Sequence, residues 1–300
     1  MNFKIFAELV ELKAKSASIF PFALGMLYSW YHYQQLSLSN MLLFFISMVI
    51  FNMAVDILDN YMDFHRATDV HDYKEETNII GREKLSVPLI RNLIISFILV
   101  SSLLGLYLAY RTSWIVLWLG IFSFAVGIFY SAGPKPLSTL PVGEIASGFT
   151  MGTIIPIICI YLNVRSQVNF NFSFLWPILL FTLPSACAIA NLMLANNTCD
   201  LEEDRLNNRH TLVHYIGEKN ALHLFKTLVI IAFLTTTLNV ALKIVPWTLL
   251  FIWLIFPKIW KNTQRYSIKP NKLETFPLAI QNLGLFISVQ MILFFVGLFL

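Results

Sequence analysis

Long apolar stretches alternate with shorter polar ones along most of the chain. Nine of these stretches are long enough to cross a bilayer as helices, because about 20 apolar residues span its hydrocarbon core. They cover residues 18–33, 40–62, 89–109, 113–131, 143–163, 172–197, 221–242, 244–260 and 277–300. The pattern predicts an all-α membrane protein with about nine transmembrane helices in a bundle.

The second apolar stretch ends in a run of acidic and amide side chains. Asn52, Asp56, Asp59 and Asp63 follow one another at spacings of three or four residues, with Asn60 beside them. At 100° per residue, these four positions fall within roughly 60° of one another on a helix. We call them the first stripe.

The sixth apolar stretch ends in a similar run, in which Asn196, Asp200 and Asp204 share one helix face and Asn197 adjoins them. We call these residues the second stripe. An Asp at the centre of a spanning helix costs about 2.5–3.5 kcal/mol on insertion scales, and less near the interface. Several carboxylates on one face also repel each other, so both stripes call for counter-charge. Hard divalent cations bound through oxygen are the natural candidates.

The composition excludes an ordinary soluble domain. Hydrophobic residues make up 57% of the chain, charged residues only 13%, and the mean hydropathy is +0.68. A net charge of +4 fits attraction to an anionic leaflet of a lipid bilayer and indicates no nucleic-acid partner. The three cysteines have no C-x-x-C spacing, which favours apolar packing over a redox or metal role.

The placement of charge predicts how the chain crosses the membrane. With a cytoplasmic N-terminus, every Lys and Arg falls on the cytoplasmic side except Arg111, Arg165 and Lys243 outside and Lys226 within a helix. This is the positive-inside pattern. Every Asp and Glu falls on the same side. The sequence therefore predicts a multi-pass protein of the cell membrane with both stripes facing the cytoplasm.

The two stripes also suggest an internal repeat. Each is followed by a polar segment, residues 63–88 and 198–220, whose length is typical of a functional lid or binding loop. We interpret the chain as a single domain, 1–300, built from two four-helix repeats with a ninth helix appended. Pseudo-symmetry between the repeats would bring the stripes to face each other across a central cavity.

Carboxylates at this spacing suit a particular ligand chemistry. Mg²⁺ keeps several waters and binds one or two carboxylates together with phosphate oxygens of a substrate. Nearby amides can donate to phosphate, Lys and Arg can neutralise the remaining charge, and an apolar cavity would suit a long hydrocarbon tail. The pattern indicates a prenyl diphosphate, although the aspartates alone leave an ion-coupled transporter open.

Three blocks of sequence carry a family resemblance. They are Asp59-Asn-Tyr-Met-Asp63 with Asp69 six residues on, Tyr130-Ser-Ala-Gly-Pro-Lys-Pro-Leu137 followed by Gly143-Glu144, and Asn196-Asn-x-x-Asp200-x-x-x-Asp204 followed by His210-Thr-Leu212 and Gly217. In these blocks and in their order, the chain resembles the UbiA superfamily of intramembrane prenyltransferases. Within it, the second block is similar to that of the branch that prenylates 1,4-dihydroxy-2-naphthoate in menaquinone synthesis.

The chain departs from the family pattern in four places. The usual Asn-Asp pair of the first motif is Asp59-Asn60 here, and Asp56 stands where Asn is more common. Both changes add carboxylates to the first stripe. The Arg-Pro-Lys-Thr-like block before the first helix reads Lys13-Ala-Lys15-Ser, which keeps positive charge but loses a bidentate Arg contact. His210 replaces a Lys of the second motif's tail.

The resemblance implies a role for each matching residue. Asp59, Asp63, Asp200 and Asp204 would ligate Mg²⁺ that holds the diphosphate, with Asp56 as a helper. Tyr130 would face the allylic cation, and Lys135 would meet the diphosphate or the acceptor's carboxylate. The remaining implied residues bind or orient the substrates: Asn52, Asn60, Asn196, Asn197, Lys13, Lys15, Asp69, Arg82 and Arg209.

The implied reaction is Mg²⁺-dependent transfer of a polyprenyl group from polyprenyl diphosphate to 1,4-dihydroxy-2-naphthoate with decarboxylation, giving demethylmenaquinol. An alternative is a UbiA-type transferase with another acceptor, such as 4-hydroxybenzoate, haem or a glycerol phosphate. A cation-coupled transporter is disfavoured, because transporter sites lie near the bilayer midplane and these carboxylates lie at helix ends on one side.

Overall fold

The computed structural model describes residues 2–66 and 73–300. Within them the chain is helical and forms no β-strand. The α-helices are α1 (Phe3–Leu9), α2 (Ser16–Tyr33), α3 (Leu38–Arg66), α4 (Ile79–Arg82), α5 (Val87–Thr112), α6 (Trp114–Ser131), α7 (Gly143–Phe149), α8 (Ile155–Val164), α9 (Phe172–Cys199), α10 (Leu201–Leu206), α11 (Leu212–Ala241), α12 (Phe256–Ile268) and α13 (Phe276–Gly297). The prediction of an all-α protein is confirmed.

Short segments of tighter or wider helix connect these elements. They are the 3₁₀ segments Leu12–Lys15, Leu137–Thr139 and Trp247–Ile255 and the π-helical turns Tyr73–Thr77 and Thr150–Ile154. Because the second π turn continues from α7 into α8, these three elements form one membrane-length helix, Gly143–Val164. A non-helical Gly217, with φ of 76°, kinks α11 near its start.

Seven helices in the described part of the chain are long and apolar enough to cross a membrane. They are α3, α5, α6, the composite α7–α8, α9, α11 and α13. The protein is therefore a multi-pass membrane protein, while the exact number of nine spans stays a prediction. Of the two other predicted spans, the first forms α2, whose serine, tyrosine and histidine side chains lower its hydropathy.

The other stretch outside the seven is 244–260. Pro246 precedes the 3₁₀ segment Trp247–Ile255, and a second proline, Pro257, lies in the first turn of α12. Proline fixes its own φ and is tolerated in the first turn of a helix, but it cannot donate a hydrogen bond inside one. The two prolines therefore divide this stretch into two helical segments instead of one spanning helix.

Contacts between Cα atoms divide the chain into two compact units. One comprises the described residues of Met1–Ser16 and Leu38–Leu137, and so contains α1 and α3–α6. Its buried core includes Leu9 and Val10 at the end of α1, and Ile57 and Leu58 of α3, packed with α4 and α5. Ile57 and Leu58 lie on the face of α3 opposite to the acidic positions. Because these two side chains are buried in the core, the first stripe faces away from it.

The second unit comprises Ala17–Ser37 and Ser138–Leu300, and so contains α2 and α7–α13. One of its cores joins the end of α9 to α10–α13 through Leu194, Ala195, Phe225 and Tyr266. In the same unit, Asn163 of α8 donates to the Ser29 hydroxyl of α2 at 3.2 Å. Since α2 packs with α7–α13, the units do not follow the predicted four-helix repeats, and that repeat stays a prediction.

Small residues allow the composite helix α7–α8 to approach α9 closely. Gly148 and Gly152 are four residues apart, and both face α9 at Ala186 and Ala190. A Cβ added to Gly152 would lie 2.5 Å from the Cα of Ala186. Small residues at i and i+4 let membrane helices approach backbone to backbone. This contact fixes the position of α9, which carries the second stripe.

Candidate active site

The first stripe lies on one unbroken helix. Asn52, Asp56, Asp59 and Asp63 all belong to α3 and are all half-buried. Because the helix continues to Arg66 without a kink, the helical repeat keeps the four positions within roughly 60° of each other. The sequence therefore predicted their common face from periodicity alone.

Lys15 is the counter-ion of Asp56. Its ammonium forms an ion pair with Asp56 Oδ2 and lies 3.4 Å from the backbone oxygen of Asn52. The Lys15 side chain is buried at the end of the 3₁₀ segment Leu12–Lys15. Burial lowers the pKa of this ammonium to about 8, and the carboxylate of Glu11 opposes that shift. A cation thus already lies against the first stripe.

Asn60 contacts the stripe through the backbone. Its Nδ2 donates to the backbone oxygen of Asp56 at 3.0 Å, and its own backbone oxygen accepts from Nδ2 of Asn78 at 2.9 Å. Asn78 also caps α4 by accepting from the amide of Ile80. These bonds join α4 to the acidic end of α3.

Asp59 is connected to the Tyr-Ser-Ala-Gly-Pro block of the sequence. The buried hydroxyl of Ser131, at the end of α6, donates to Asp59 Oδ1 at 2.5 Å. Arg66 donates to the backbone oxygens of Ser131 at 3.0 Å and Gly133 at 2.8 Å. Ser131 and Arg66 were not predicted as site residues. Their partners lie more than 60 residues away, so no local pattern could have revealed them.

Tyr130 and Lys135 flank this connection. Tyr130 is half-buried near the end of α6, and Lys135 is exposed beyond Gly133. Gly133 has a φ of 98°, a left-handed conformation that favours glycine and turns the chain after α6. The turn leaves Lys135 accessible to an anionic group.

The predicted lid residue Arg82 is engaged elsewhere. Its guanidinium donates to Glu8 of α1 at 2.6 Å and lies 3.4 Å from Glu83, so no described contact joins it to the first stripe. Surface ion pairs of this kind contribute about 0–1 kcal/mol, so Arg82 can exchange partners at low cost. The predicted roles of Asp69 and of the Lys13 side chain lie outside the described residues.

The second stripe spans a helix end. Helix α9 ends at Cys199, Asp200 is its C-cap, and Asp204 belongs to α10. The helical bonding pattern continues across this junction, because the Asp200 amide donates to Asn196 O at 3.1 Å and the Asp204 amide donates to Asp200 O at 2.7 Å. The spacing of the stripe therefore survives the break between the two helices.

Lys272, which was not a predicted site residue, contacts the second stripe. Its Nζ lies 2.5 Å from Asp200 Oδ2 and 2.7 Å from Asn196 Oδ1. The Nδ2 of Asn196 donates to the same Asp200 oxygen at 3.1 Å. Lys272 was missed because the loop that carries it lies some 70 residues further along the chain.

Asp204 is the most deeply buried carboxylate of either stripe. Burial raises its pKa to about 6, while nearby Arg209 opposes this shift. The hydroxyl of Thr211 lies 3.4 Å from Asp204 Oδ2, and the amide of Arg209 donates to the Asp204 backbone oxygen at 2.8 Å. A divalent cation would favour the ionised form that burial disfavours.

Asn197 binds a second buried carboxylate. Its Nδ2 donates to Oε1 of Glu144 at 2.8 Å, and both side chains are buried. The other oxygen of Glu144, Oε2, has no hydrogen-bond partner among the described residues. Glu144 lies at the start of α7, where an acid suits the helix dipole. The contact orients Asn197 toward α7.

The donor chemistry of both stripes fits Mg²⁺. Every side chain in them offers oxygen, and each stripe already holds one cationic ammonium, Lys15 or Lys272. In the described part of the chain, no three His, Cys, Asp or Glu side chains come together as a group able to enclose a metal. Mg²⁺ needs no such cage, because it uses one or two carboxylates and completes its shell with water and phosphate.

Comparison with known proteins decides the family. A sequence model of the UbiA prenyltransferase family matches residues 18–289, which is most of the chain. The chain belongs to the UbiA prenyltransferase family. As a UbiA family member it is a prenyltransferase, and the recognition of this family from its three motif blocks is confirmed.

A curated relative supports the same conclusion. The 1,4-dihydroxy-2-naphthoate octaprenyltransferase of Bacillus subtilis (strain 168) is 27% identical over 231 residues, which cover 77% of this chain and 72% of that protein. The similarity therefore extends well beyond the three motif blocks. At this level of identity the two proteins are related members of the UbiA family, and the acceptor in the relative's name belongs to that protein.

Solved structures show the same fold. The apo structure of a UbiA homologue from Aeropyrum pernix K1 has a TM-score of 0.70, with 16% identity, and the match covers 92% of this chain and 96% of that one. A digeranylgeranylglyceryl phosphate synthase has a TM-score of 0.66, with 19% identity and 98% of each chain covered. A UbiA homologue from Archaeoglobus fulgidus bound to GPP and Mg²⁺ has a TM-score of 0.64, with 15% identity and coverage of 99% and 100%.

Proposed function

We propose that this UbiA family member transfers a polyprenyl group from polyprenyl diphosphate to 1,4-dihydroxy-2-naphthoate, with loss of carbon dioxide, and that the reaction requires Mg²⁺. The observation that carries the diphosphate and metal part is that every side chain of the two stripes offers an oxygen, with two or more carboxylates in each stripe. The acceptor rests on the Bacillus subtilis relative and on the resemblance of the Tyr130–Leu137 block. The structure of a homologue bound to GPP and Mg²⁺ supports the same ligand chemistry.

The carboxylates of Asp59, Asp63, Asp200 and Asp204 would hold the metal, with Asp56 as a helper. Bound Mg²⁺ would neutralise the charge that builds on the departing diphosphate. Ser131 supports this assignment for Asp59, because its buried hydroxyl donates to Asp59 Oδ1 at 2.5 Å and so orients the carboxylate. Burial supports it for Asp204, whose carboxylate lies in surroundings that favour a neutral or metal-bound state.

The remaining side chains would bind and orient the substrates. Exposed Lys135 would attract the diphosphate or the carboxylate of the acceptor, and half-buried Tyr130 would present its ring to developing positive charge. Lys15 and Arg82 would contact phosphate only after leaving Asp56 and Glu8. The other proposed contacts are Asn52, Asn60, Asn196, Asn197, Lys13, Asp69 and Arg209.

The distribution of Lys and Arg supports a cytoplasmic N-terminus and an active site toward the cytoplasm. Apolar surroundings would keep water from the allylic cation until the acceptor ring attacks it. The polar segments 63–88 and 198–220 would act as lids in this proposal. The second of them contains α10 and the start of α11, and so is largely helical.

An acceptor panel tests the proposal. Membranes carrying the protein are incubated with Mg²⁺, labelled polyprenyl diphosphate and 1,4-dihydroxy-2-naphthoate, 4-hydroxybenzoate, haem or glycerol phosphate. We expect prenylated product and released carbon dioxide with 1,4-dihydroxy-2-naphthoate alone, and no turnover after chelation of Mg²⁺. Product with a different acceptor would contradict the proposed substrate, and no release of diphosphate with any acceptor would contradict the proposed reaction.

A pair of double variants tests the metal ligands. Asp63→Ala with Asp200→Ala removes one carboxylate from each stripe, and we expect a loss of at least about 100-fold in kcat. The matched control, Glu76→Ala with Glu218→Ala, removes the same charge from two exposed positions outside the stripes. Full activity in the Asp63→Ala, Asp200→Ala variant would show that these carboxylates are not required for the reaction.

A further inference from the structure

Lys272 closes a small polar cluster at the end of α9. Its ammonium contacts Asp200 Oδ2 at 2.5 Å and Asn196 Oδ1 at 2.7 Å, and Nδ2 of Asn196 donates to the same carboxylate oxygen at 3.1 Å. One oxygen of Asp200 is thereby shared between an ammonium and an amide. This oxygen belongs to the carboxylate that we propose as a metal ligand.

The loop between α12 and α13 is built to hold Lys272 in this position. The side chain of Asn271 accepts from the amides of Leu273 and Glu274, both at 2.9 Å. The hydroxyl of Thr275 accepts from the Asn271 amide at 2.8 Å and donates to the backbone oxygen of Lys269 at 3.0 Å. These bonds fix the backbone on both sides of Lys272.

Two contacts place this loop: one joins α12, which precedes it, to α9, and the other joins Lys272 to α13, which follows it. Tyr266, which is fully buried on α12, donates its hydroxyl to the backbone oxygen of Ala195 at 2.7 Å. The ammonium of Lys272 also lies 5.1 Å from the ring centroid of Phe276, the first residue of α13. Because Ala195 directly precedes Asn196, the Tyr266 bond holds α12, and with it the following loop, beside the second stripe.

We propose that Lys272 is a tethered counter-ion that occupies the cation position of Asp200 in the metal-free enzyme and that a divalent cation must displace. The inference rests on the proposed function, in which Asp200 is a metal ligand. An ammonium and a divalent cation repel each other, so they cannot share Asp200 Oδ2 at bonding distance. Lys272 thus lowers the affinity of the second stripe for free metal while it neutralises part of the negative charge of that stripe.

The size of the effect follows from exposure. The side chain of Asp200 is 22% exposed and that of Lys272 is 45% exposed, so water screens the pair. The loss of a partly exposed ion pair changes an equilibrium constant, here the dissociation constant for metal at Asp200, by a few-fold. The contact of Lys272 with Asn196 Oδ1 adds to this effect. Removal of the ammonium should therefore tighten metal binding by roughly threefold to tenfold.

Titration with Mn²⁺ tests this inference on the full-length protein in detergent without any diphosphate. The electron paramagnetic resonance signal of free Mn²⁺ reports how much metal is bound. The variants are Lys272→Met, Lys272→Gln, Asp200→Asn and a control, Lys269→Met, which removes one exposed positive charge from the same loop. We expect tighter binding in both Lys272 variants, no gain in Lys269→Met, and weaker binding in Asp200→Asn.

The outcomes separate this inference from the proposed function. The inference is overturned if the Lys272 variants bind Mn²⁺ no more tightly than Lys269→Met, or more weakly than the wild type. In that case, weaker Mn²⁺ binding by Asp200→Asn would still support Asp200 as a metal ligand. If Asp200→Asn binds Mn²⁺ as tightly as the wild type, both the inference about Lys272 and the proposed role of Asp200 as a metal ligand are overturned. Thermal unfolding of each variant is measured alongside, and the two Lys272 substitutions guard against one failing to fold.

Discussion

The close approach of α7–α8 to α9 gives a sharp test of the packing that positions the second stripe. A Cβ at residue 152 would meet three atoms of Ala186, the Cα at 2.5 Å, the amide nitrogen at 2.7 Å and the Cβ at 3.1 Å. Carbon atoms in contact normally lie about 3.5–4.0 Å apart, so Gly152→Ala requires the helices to separate by roughly 1 Å. Two of the three atoms belong to the backbone, so no change of rotamer relieves the overlap.

The expected cost is the balance of two terms. Overpacking of a tight interface costs about 1–3 kcal/mol, whereas alanine in place of glycine favours a helix by about 0.5–1 kcal/mol. We therefore expect Gly152→Ala to lower the free energy of unfolding by about 1–2 kcal/mol. For a protein of this size that corresponds to a fall of roughly 2–8 °C in the thermal unfolding midpoint.

The matched control is Gly120→Ala in α6, because a Cβ there would meet nothing within 4 Å. Thermal unfolding of the purified wild type and both variants in the same detergent measures the difference. The control should be as stable as the wild type or slightly more stable. A midpoint for Gly152→Ala equal to that of Gly120→Ala would refute the backbone contact between these helices.

Three further predictions concern the stripes. Ser131→Ala removes a donor to Asp59 and should raise the Mg²⁺ concentration for half-maximal activity about fivefold. Ser123→Ala is the control, because the Ser123 hydroxyl donates to Leu119 O of its own helix, and it should leave this concentration unchanged; equal values for the two variants would show that the Ser131 bond is irrelevant. Burial raises the pKa of Asp204 to about 6, so between about pH 4 and 6 the metal-free folded protein binds more protons than the unfolded chain. The stability of the wild type relative to Asp204→Asn should therefore rise by up to about 3 kcal/mol as the pH falls from 7.5 toward 4. A difference in thermal unfolding that does not depend on pH would contradict this. Glu8→Gln removes the shorter of the two ion pairs of Arg82 and leaves the one to Glu83. We expect Arg82 to exchange partners more easily and the KM for prenyl diphosphate to fall about twofold to threefold, with Glu75→Gln as the exposed control. An unchanged KM would argue against a phosphate role for Arg82.

Local periodicity accounts for what could be predicted from the sequence. The common face of Asp56, Asp59 and Asp63 follows from the helical repeat, which needs no knowledge of neighbouring helices. The division of 244–260 could also have been inferred, since Pro246 and Pro257 lie within this stretch on either side of the segment Trp247–Ile255. Hydropathy alone merged the two parts into one predicted span.

Tertiary packing determines the rest of the candidate site. Asp200 is paired with Lys272 only because Tyr266 and the Asn271–Thr275 bonds hold the α12–α13 loop beside α9. In the sequence, the basic residues after α12 resemble ordinary topological charge. The bond from Ser131 to Asp59 is equally non-local, so a serine in a recognised motif gave no sign of its partner.

The membership of α2 in the unit formed by α7–α13 has a consequence for biosynthesis. Its partners in that unit include Asn163, whose side chain donates to Ser29 across 134 positions of the chain. At about 5–20 residues per second, the ribosome needs roughly 7–27 s to make that length. Over this interval the residues of α3–α6 are synthesised and can pack together, while the Ser29 hydroxyl can donate to Gly25 O of its own helix but cannot yet accept from Asn163. We therefore expect α2 to be synthesised early and to pack against its own unit late. In a chain arrested before α8, α3–α6 can already form their unit, while α2 still lacks α8 and the helices that follow it.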